Sequence, residues 1–283
     1  MCSSNTLLRY SSEDSLSAVM VSEGVIILIA NALTLATFAC NRRMVRRSAY
    51  CLLCVATADG LVGLSAILLY TANLACIIDG PYIVFCKFLW QVFQSASLSG
   101  LVLVAVERMY ATLWAIRHRN TRKRWYLNGI ALTWLLSIIM GILYVTCNDN
   151  DEVSRWTKTI FTLIGLIVLS IAYVAIFIKV KKQHHQHSQQ QKGRESFKRE
   201  RELARTLSIV TVLSLLTWIP DSIYHLLPGY KSNSSLHQSL QVLRLLNSFV
   251  NPAVYFLFLK DFRKALERAV KRCFCCRAND IAP

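Results

Sequence analysis

Charge is scarce in this chain. Asp, Glu, Lys and Arg make up 17% of its 283 residues, against 54% apolar residues and a mean hydropathy of +0.39. That shortage excludes an ordinary soluble domain, and the long apolar runs read first as membrane spans. Acidic residues are scarcer still: 16 stand against 32 Lys and Arg, a net charge of +16. Proline is rare, and of the five only Pro220 and Pro252 fall well inside apolar runs. Internal repeats and paired broken helices are missing, which argues against a transporter or channel. The first 18 residues lack the basic region, short apolar core and cleavage site of a removable signal peptide. The first apolar run is therefore expected to act as its own insertion signal.

Seven apolar runs are present: Val19–Cys40, Tyr50–Ala75, Val84–Trp114, Leu127–Val145, Thr157–Val180, Leu203–Leu227 and Leu240–Leu259. Each is long enough as a helix to cross roughly 30 Å of hydrocarbon at about 1.5 Å per residue. The expected fold class is an all-α membrane protein, a seven-helix bundle. The third run exceeds a minimal span, so it tilts or projects beyond the membrane.

The positive charge is sorted between loops rather than gathered on a nucleic-acid-binding face. It crowds into Arg42–Arg47, Arg117–Arg124, Lys179–Arg205 and Lys260–Arg277, while the alternate loops hold Arg9, Arg155, Lys158 and Lys231. By the positive-inside rule the rich loops are cytoplasmic. Seven spans then put the N-terminus outside and the C-terminus inside. The divisions expected are a tail over 1–18, the bundle over 19–259, an amphipathic cytoplasmic helix over 260–272 and a short tail over 273–283.

Between the fifth and sixth runs, residues 183–191 (QHHQHSQQQ) form a polar, low-complexity stretch. Its histidines could hold a metal weakly, but a solvated loop is the plainer reading. After the seventh run, Phe258, Phe262, Leu266, Ala269 or Val270, and Cys273 recur at helical spacing with cations between. This pattern describes a helix lying on the inner leaflet, in contact with membrane lipid. Cys273, Cys275 and Cys276 at its end are candidate lipidation sites, or simply free thiols on a tail. Asn233-Ser234-Ser235 is a glycosylation sequon in an outer loop. Cys2, Cys76, Cys86 and Cys147 fall on the side where disulfides persist, whereas Cys40, Cys51 and Cys54 read as packing residues.

The spans also carry motifs. Asn251-Pro252-Ala253-Val254-Tyr255 closes the seventh, and a proline there frees a backbone carbonyl that neighbours must satisfy. Thr217-Trp218-Ile219-Pro220 lies in the sixth, Glu107-Arg108-Met109 ends the third, and Asp59 lies deep in the second. An intramembrane carboxylate costs roughly 2.5–3.5 kcal/mol on insertion scales and is functional by default. With Asn31, Trp134 and Tyr173 on the first, fourth and fifth spans, this set resembles the rhodopsin-like (class A) G-protein-coupled receptors over essentially the whole chain.

The resemblance implies a receptor, not an enzyme, in the plasma membrane, passing an extracellular signal to a heterotrimeric G protein. It implies that Glu107, Arg108, Ile116, Tyr173, Glu200, Trp218, Pro220, Asn251, Pro252 and Tyr255 form the switch and coupling surface. Within it, Glu200 falls at the position that bridges to Arg108; otherwise it is one charge of a solvated run. No cofactor is required, but Asp59, Ser97, Asn247 and Asn251 match an allosteric sodium site; a structural hydrogen-bond network is the alternative. Trp90, Gln91, Gln94, Asp221, His225, Gln241 and Arg244 are expected to face the ligand, a small molecule or a peptide. Asp221 and Arg244 either bind it or pair with each other. Leu245 replaces the retinal lysine and Trp90 the amine-binding aspartate, which excludes both chemistries. A Cys86–Cys147 disulfide is favoured, with Cys76–Cys147 as competitor. Ala30 and Ala115 also replace the family's usual residues, and the departures at Met109, Gly165 and the shifted Cys86 leave open a non-signalling accessory protein. Gly63-Leu64-Ser65, with His225 on another span, leaves a remote intramembrane-protease reading.

Overall fold

The computed structural model describes residues 4–41, 49–77, 79–147, 152–187, 194–227, 234–258 and 262–268; the side chains of 4–13, 183–187, 194–208 and 234 lie outside the description. Among the described residues all regular structure is helical. The helices are α1 (Ser4–Cys40), α2 (Ala49–Leu74), α3 (Pro81–Leu113), α4 (Ala115–Asn120), α5 (Lys123–Thr146), α6 (Glu152–His187), α7 (Arg194–Leu226), α8 (Ser234–Leu245) and α9 (Asn247–Phe258). A further helix, α10, covers Phe262–Arg268. Below, the inner end is the one carrying the Arg- and Lys-rich connections.

Among the described residues, six helices are long and apolar enough to cross a membrane: α1, α2, α3, α5, α6 and α7. The seventh crossing, Ser235–Phe258, qualifies only together with α10, from which it is bent by 94°. Its hydropathy is diluted by Gln238, Gln241, Arg244, Asn247, Ser248 and Asn251. The first helix begins at Ser4 and continues through the apolar run that opens near residue 19. No Gly or Pro occurs before Gly24, so nothing in the backbone chemistry stops the helix from running back through the expected tail.

The break between α8 and α9 sits at Leu246, six residues before Pro252. Pro252 has no N–H, so the carbonyl four residues earlier, that of Ser248, loses its helical donor. Asn31 Nδ2 of α1 donates to it at 3.1 Å, and also to Ile27 O at 3.0 Å. Leu246 O is kept occupied by the N–H groups of Phe249 and Val250.

Close helix approach depends on small residues. A Cβ on Gly63 would lie 2.6 Å from Gly24 O, and one on Gly24 would lie 2.7 Å from Gly63 O. The Gly63-Leu64-Ser65 motif is therefore a contact of α1 with α2, and Ser65 Oγ simply donates to Val62 O at 2.9 Å. Gly141 of α5 accommodates Val92 and Phe88 of α3, and Gly165 of α6 accommodates Leu98. These contacts leave the lipid-facing sides of α5 and α6 strongly apolar, with Leu132, Leu135, Ile164 and Ile171 all more than half exposed.

The expected Cys86–Cys147 disulfide does not form: both are free thiols. Cys86 is 1% exposed and packs with Tyr70, Ile83 and Trp90 in the core shared by α1, α2, α3 and α8. Phe88 and Val92 occupy the face of α3 that meets α5, the helix leading to Cys147. Two residues turn a helix by about 200°, so Cys86 points away from α5.

At the inner end, α10 folds back under the bundle. Phe262 and Ala265 are buried, Phe262 lies 6.1 Å from the rings of both Phe38 and Tyr255, and Asn41 Nδ2 donates to Ala265 O at 3.2 Å. Cys273, Cys275, Cys276 and Asn233 lie outside the described residues, as does the side chain of Glu200 on α7.

Candidate functional site

Polar side chains run through the apolar bundle at three levels. The uppermost is a cavity of about 250 Å³ near the outer end, walled by α2, α3, α5, α6, α7 and α8. Trp90, Gln91, Asp221, His225, Gln241 and Arg244 all line it, six of the seven expected ligand-facing residues. Gln94 does not: it lies one turn deeper on α3, buried, with Nε2 unpartnered. Two cations near the outer ends of α3 and α6, Lys87 and Lys158, also line the cavity, and so do Tyr144 and His237.

Asp221 and Arg244 pair across α7 and α8, with Arg244 Nη1 donating to Asp221 Oδ2 at 2.9 Å. The guanidinium also lies over the rings of Trp218, 5.4 Å from the centroid, and Trp90, at 5.9 Å. A guanidinium between two indoles, bonded to a carboxylate, has its charge answered on three sides. Trp218 does not itself line the cavity; it packs against Leu98 and Leu166. Pro220 stands two residues beyond it, inside α7.

The middle level is centred on Asp59, which is fully buried. Ser97 Oγ donates to its Oδ1 at 2.5 Å and Asn251 Nδ2 to its Oδ2 at 2.8 Å, so α2, α3 and α9 meet on one carboxylate. Asn247 sits one turn from Asn251, with both side-chain polar atoms buried and unpartnered; Asn251 Oδ1 is unpartnered too. A hard cation takes oxygen ligands. The carboxylate and the two spare amide oxygens are a donor set that fits sodium.

At the inner end, Arg108 Nε lies 2.9 Å from Glu107 Oε2, an ion pair by distance whose N–H is not aligned for a hydrogen bond. The other oxygen, Oε1, lies 2.8 Å from His118 Nε2, and that nitrogen is 2.9 Å from Tyr126 Oη. Helix α4 carries His118 back beneath α3, so this group ties α3, α4 and α5 together. The sequence reading missed His118 and Tyr126. They lie 11 and 19 residues from Glu107, across a helix end, and no periodic spacing spans such a break. Ile116 on α4 is 83% exposed. Tyr173 is packed in the inner core, and Tyr255 lies against Phe38 and Phe262.

Comparison with known proteins agrees with this layout. Residues 30–255 match the family described as 7 transmembrane receptor (rhodopsin family). Among curated proteins, the chain is 24% identical to the adenosine receptor A3 of Bos taurus, over 93% of this chain and 91% of that protein. It is 23% identical to the adenosine receptor A2b of Gallus gallus, over 89% and 86% respectively. It is 27% identical to the trace amine-associated receptor 7d of Mus musculus, over 89% and 81%. With its buried Asp59, its Glu107-Arg108 pair and the prolines inside α7 and α9, this chain is a multi-pass membrane protein that belongs to the rhodopsin family of seven-transmembrane receptors.

Proposed function

We propose that this receptor lies in the plasma membrane with its N-terminus outside, takes a small polar ligand into the cavity above Trp218, and activates a heterotrimeric G protein through Arg108. One observation carries the reading: a polar column passes through an apolar bundle, from the Asp221–Arg244 pair, past Asp59, to Glu107 and Arg108. Buried polar groups cost free energy unless they are bonded or used. Such a column supplies a route by which a change at one end alters the other.

The inner end described above is the resting arrangement. Arg108 is held by Glu107, and the groove between α3, α4 and α5 is walled by Glu107, Tyr110, Ile116 and Tyr126. Ligand binding shifts the population toward an arrangement in which α7 bends at Pro220 and swings outward. Arg108 is then released toward the G protein, and Ile116 is the apolar knob on which the G protein docks. Tyr173 and Tyr255 turn toward Arg108 in that state, and Glu200 locks it in the resting one. Asp59, Ser97, Asn247 and Asn251 would hold a sodium ion, whose charge would stabilise the resting bundle. Cys273, Cys275 and Cys276 anchor the tail to lipid, and Asn233 is glycosylated.

A cavity of about 250 Å³ is at the small end for ligand sites and favours a small molecule over a peptide. Trp90 stands where an amine ligand would need a carboxylate, and Asp221 is already paired with Arg244. A neutral, hydrogen-bonding ligand of nucleoside size fits the glutamines and hydroxyls of the wall, and adenosine is the first to test.

The test is basal G-protein activation in cells, across the G-protein subclasses, at matched surface expression. Glu200→Ala is expected to raise it and Arg108→Ala to silence it. Silence in wild type and both variants would reject coupling and leave a receptor-like accessory protein.

A further inference from the structure

We propose that Asp221, His225 and His237 form a binding site for a zinc-class divalent cation, one that bridges α7 and α8 at the mouth of the outer cavity. One ligand atom from each of the three lies within 4.8 Å of the others. Asp221 and His225 are four residues apart on one face of α7, the spacing that lets two side chains share an ion. His237 comes from the neighbouring helix, and its ring is 5.3 Å from that of His225.

Asp221 is already divided between two tasks. Oδ2 accepts from Arg244, while Oδ1 is turned toward His225 Nε2 at 3.7 Å and has no hydrogen-bond partner. A buried carboxylate oxygen with no hydrogen-bond donor, facing an imidazole, is a ligand atom available to a cation. Two imidazoles and one carboxylate select zinc, copper or nickel over calcium and magnesium, which prefer all-oxygen sets. A tetrahedral zinc with bonds of about 2.0–2.1 Å holds its ligands roughly 3.3 Å apart. The three groups must therefore close by up to about 1.5 Å, within the reach of rotamer adjustment, and water takes the fourth position. Arg244, Lys87 and Lys158 also line the cavity, and their charge weakens the site. The ion is thus a reversible modulator, not a permanent structural metal. Because Asp221 follows Pro220 directly, such an ion clamps α7 to α8 just above the kink.

The experiment uses the full chain in lipid nanodiscs, titrated with Co²⁺ and then with Zn²⁺ as displacer. Every variant, the parent included, carries His184→Ala, His185→Ala and His187→Ala, which removes the other histidine cluster. The expected result is one saturable, reversible equivalent with the visible absorption of tetrahedral nitrogen and oxygen ligation, lost on adding zinc. His225→Ala and His237→Ala should each weaken binding by roughly tenfold or more, since even outer-shell changes at metal sites cost about 10–100-fold. Their melting without metal should stay as in the parent, which separates ligation from folding. Unchanged affinity in His237→Ala overturns the proposal. So does binding that vanishes with the three cytoplasmic histidines, or a thiolate charge-transfer band that assigns the ion to cysteines. None of these outcomes depends on coupling to a G protein.

Discussion

Removing the amide of Asn31 strands the Ser248 carbonyl, because Pro252 can never donate to it. Asn31→Ala is therefore expected to cost about 1–3 kcal/mol, the penalty for a buried group left unsatisfied. A thermal melt of the detergent-solubilised receptor would read this as a lowered midpoint, and Asn31→Asp, which keeps no amide donor, should resemble the alanine. The Asp221–Arg244 pair calls for a different experiment. Losing either partner leaves the other charge buried or nearly so, a cost of roughly 3–5 kcal/mol for fully buried pairs and less here, where Arg244 is part-buried. Asp221→Ala and Arg244→Ala should each depress surface expression, and the double variant should recover part of the loss. Strictly additive losses would mean that each side chain serves something else. Both pairings concern residues that the sequence singles out, since Asn31, Asp221 and Arg244 are polar residues in apolar runs. What the sequence leaves open is the choice between partner and ligand. That choice depends on helix rotation, which hydropathy does not set.

Helix crossings explain which parts of the fold could be read in advance. Seven runs are legible because each must supply about 20 apolar residues, and the sorting of Lys and Arg follows from the membrane potential and lipid. The rotation of each helix about its axis is not legible that way, and the Cys86–Cys147 bridge failed on it: Cys86 faces α2 while Phe88 faces α5. The seventh run is diluted by the polar residues of its inward face, so in the structure it qualifies as a crossing only together with α10. His118 could not be found from spacing, since α4 reverses the chain between it and Glu107. The α1–α2 crossing yields its own test. Gly63 meets Gly24 backbone to backbone, so neither side can give way as a flexible side chain would. Gly63→Ala is expected to lower the melting midpoint, and Gly63→Leu to abolish surface expression. The neighbouring Leu64→Ala, on the exposed side of the same turn, should leave both unchanged.

For the whole molecule, the resting arrangement depends on how much of the inner network must break when α7 moves. Glu107 alone holds three groups: Arg108 by charge, His118 by a short bond, and Tyr126 through His118. Glu107 is 7% exposed, so water screens these contacts little. Glu107→Gln keeps the shape and one oxygen but removes the charge that holds Arg108. Hydrogen bonds to charged groups contribute about 1.5–3 kcal/mol net, and about 1.4 kcal/mol is tenfold in an equilibrium. If the network serves only the resting state, the basal active population should rise by roughly tenfold or more, until it saturates. Basal G-protein activation at matched surface expression measures it. His118→Ala removes one strut while leaving Arg108 paired, so its rise should be smaller. The order of the two variants is the informative part. A larger effect from His118 would move the restraint from the α3 ion pair to the α4 loop. A fall with Glu107→Gln would mean that the carboxylate also serves the active state, where it would orient Arg108 rather than confine it.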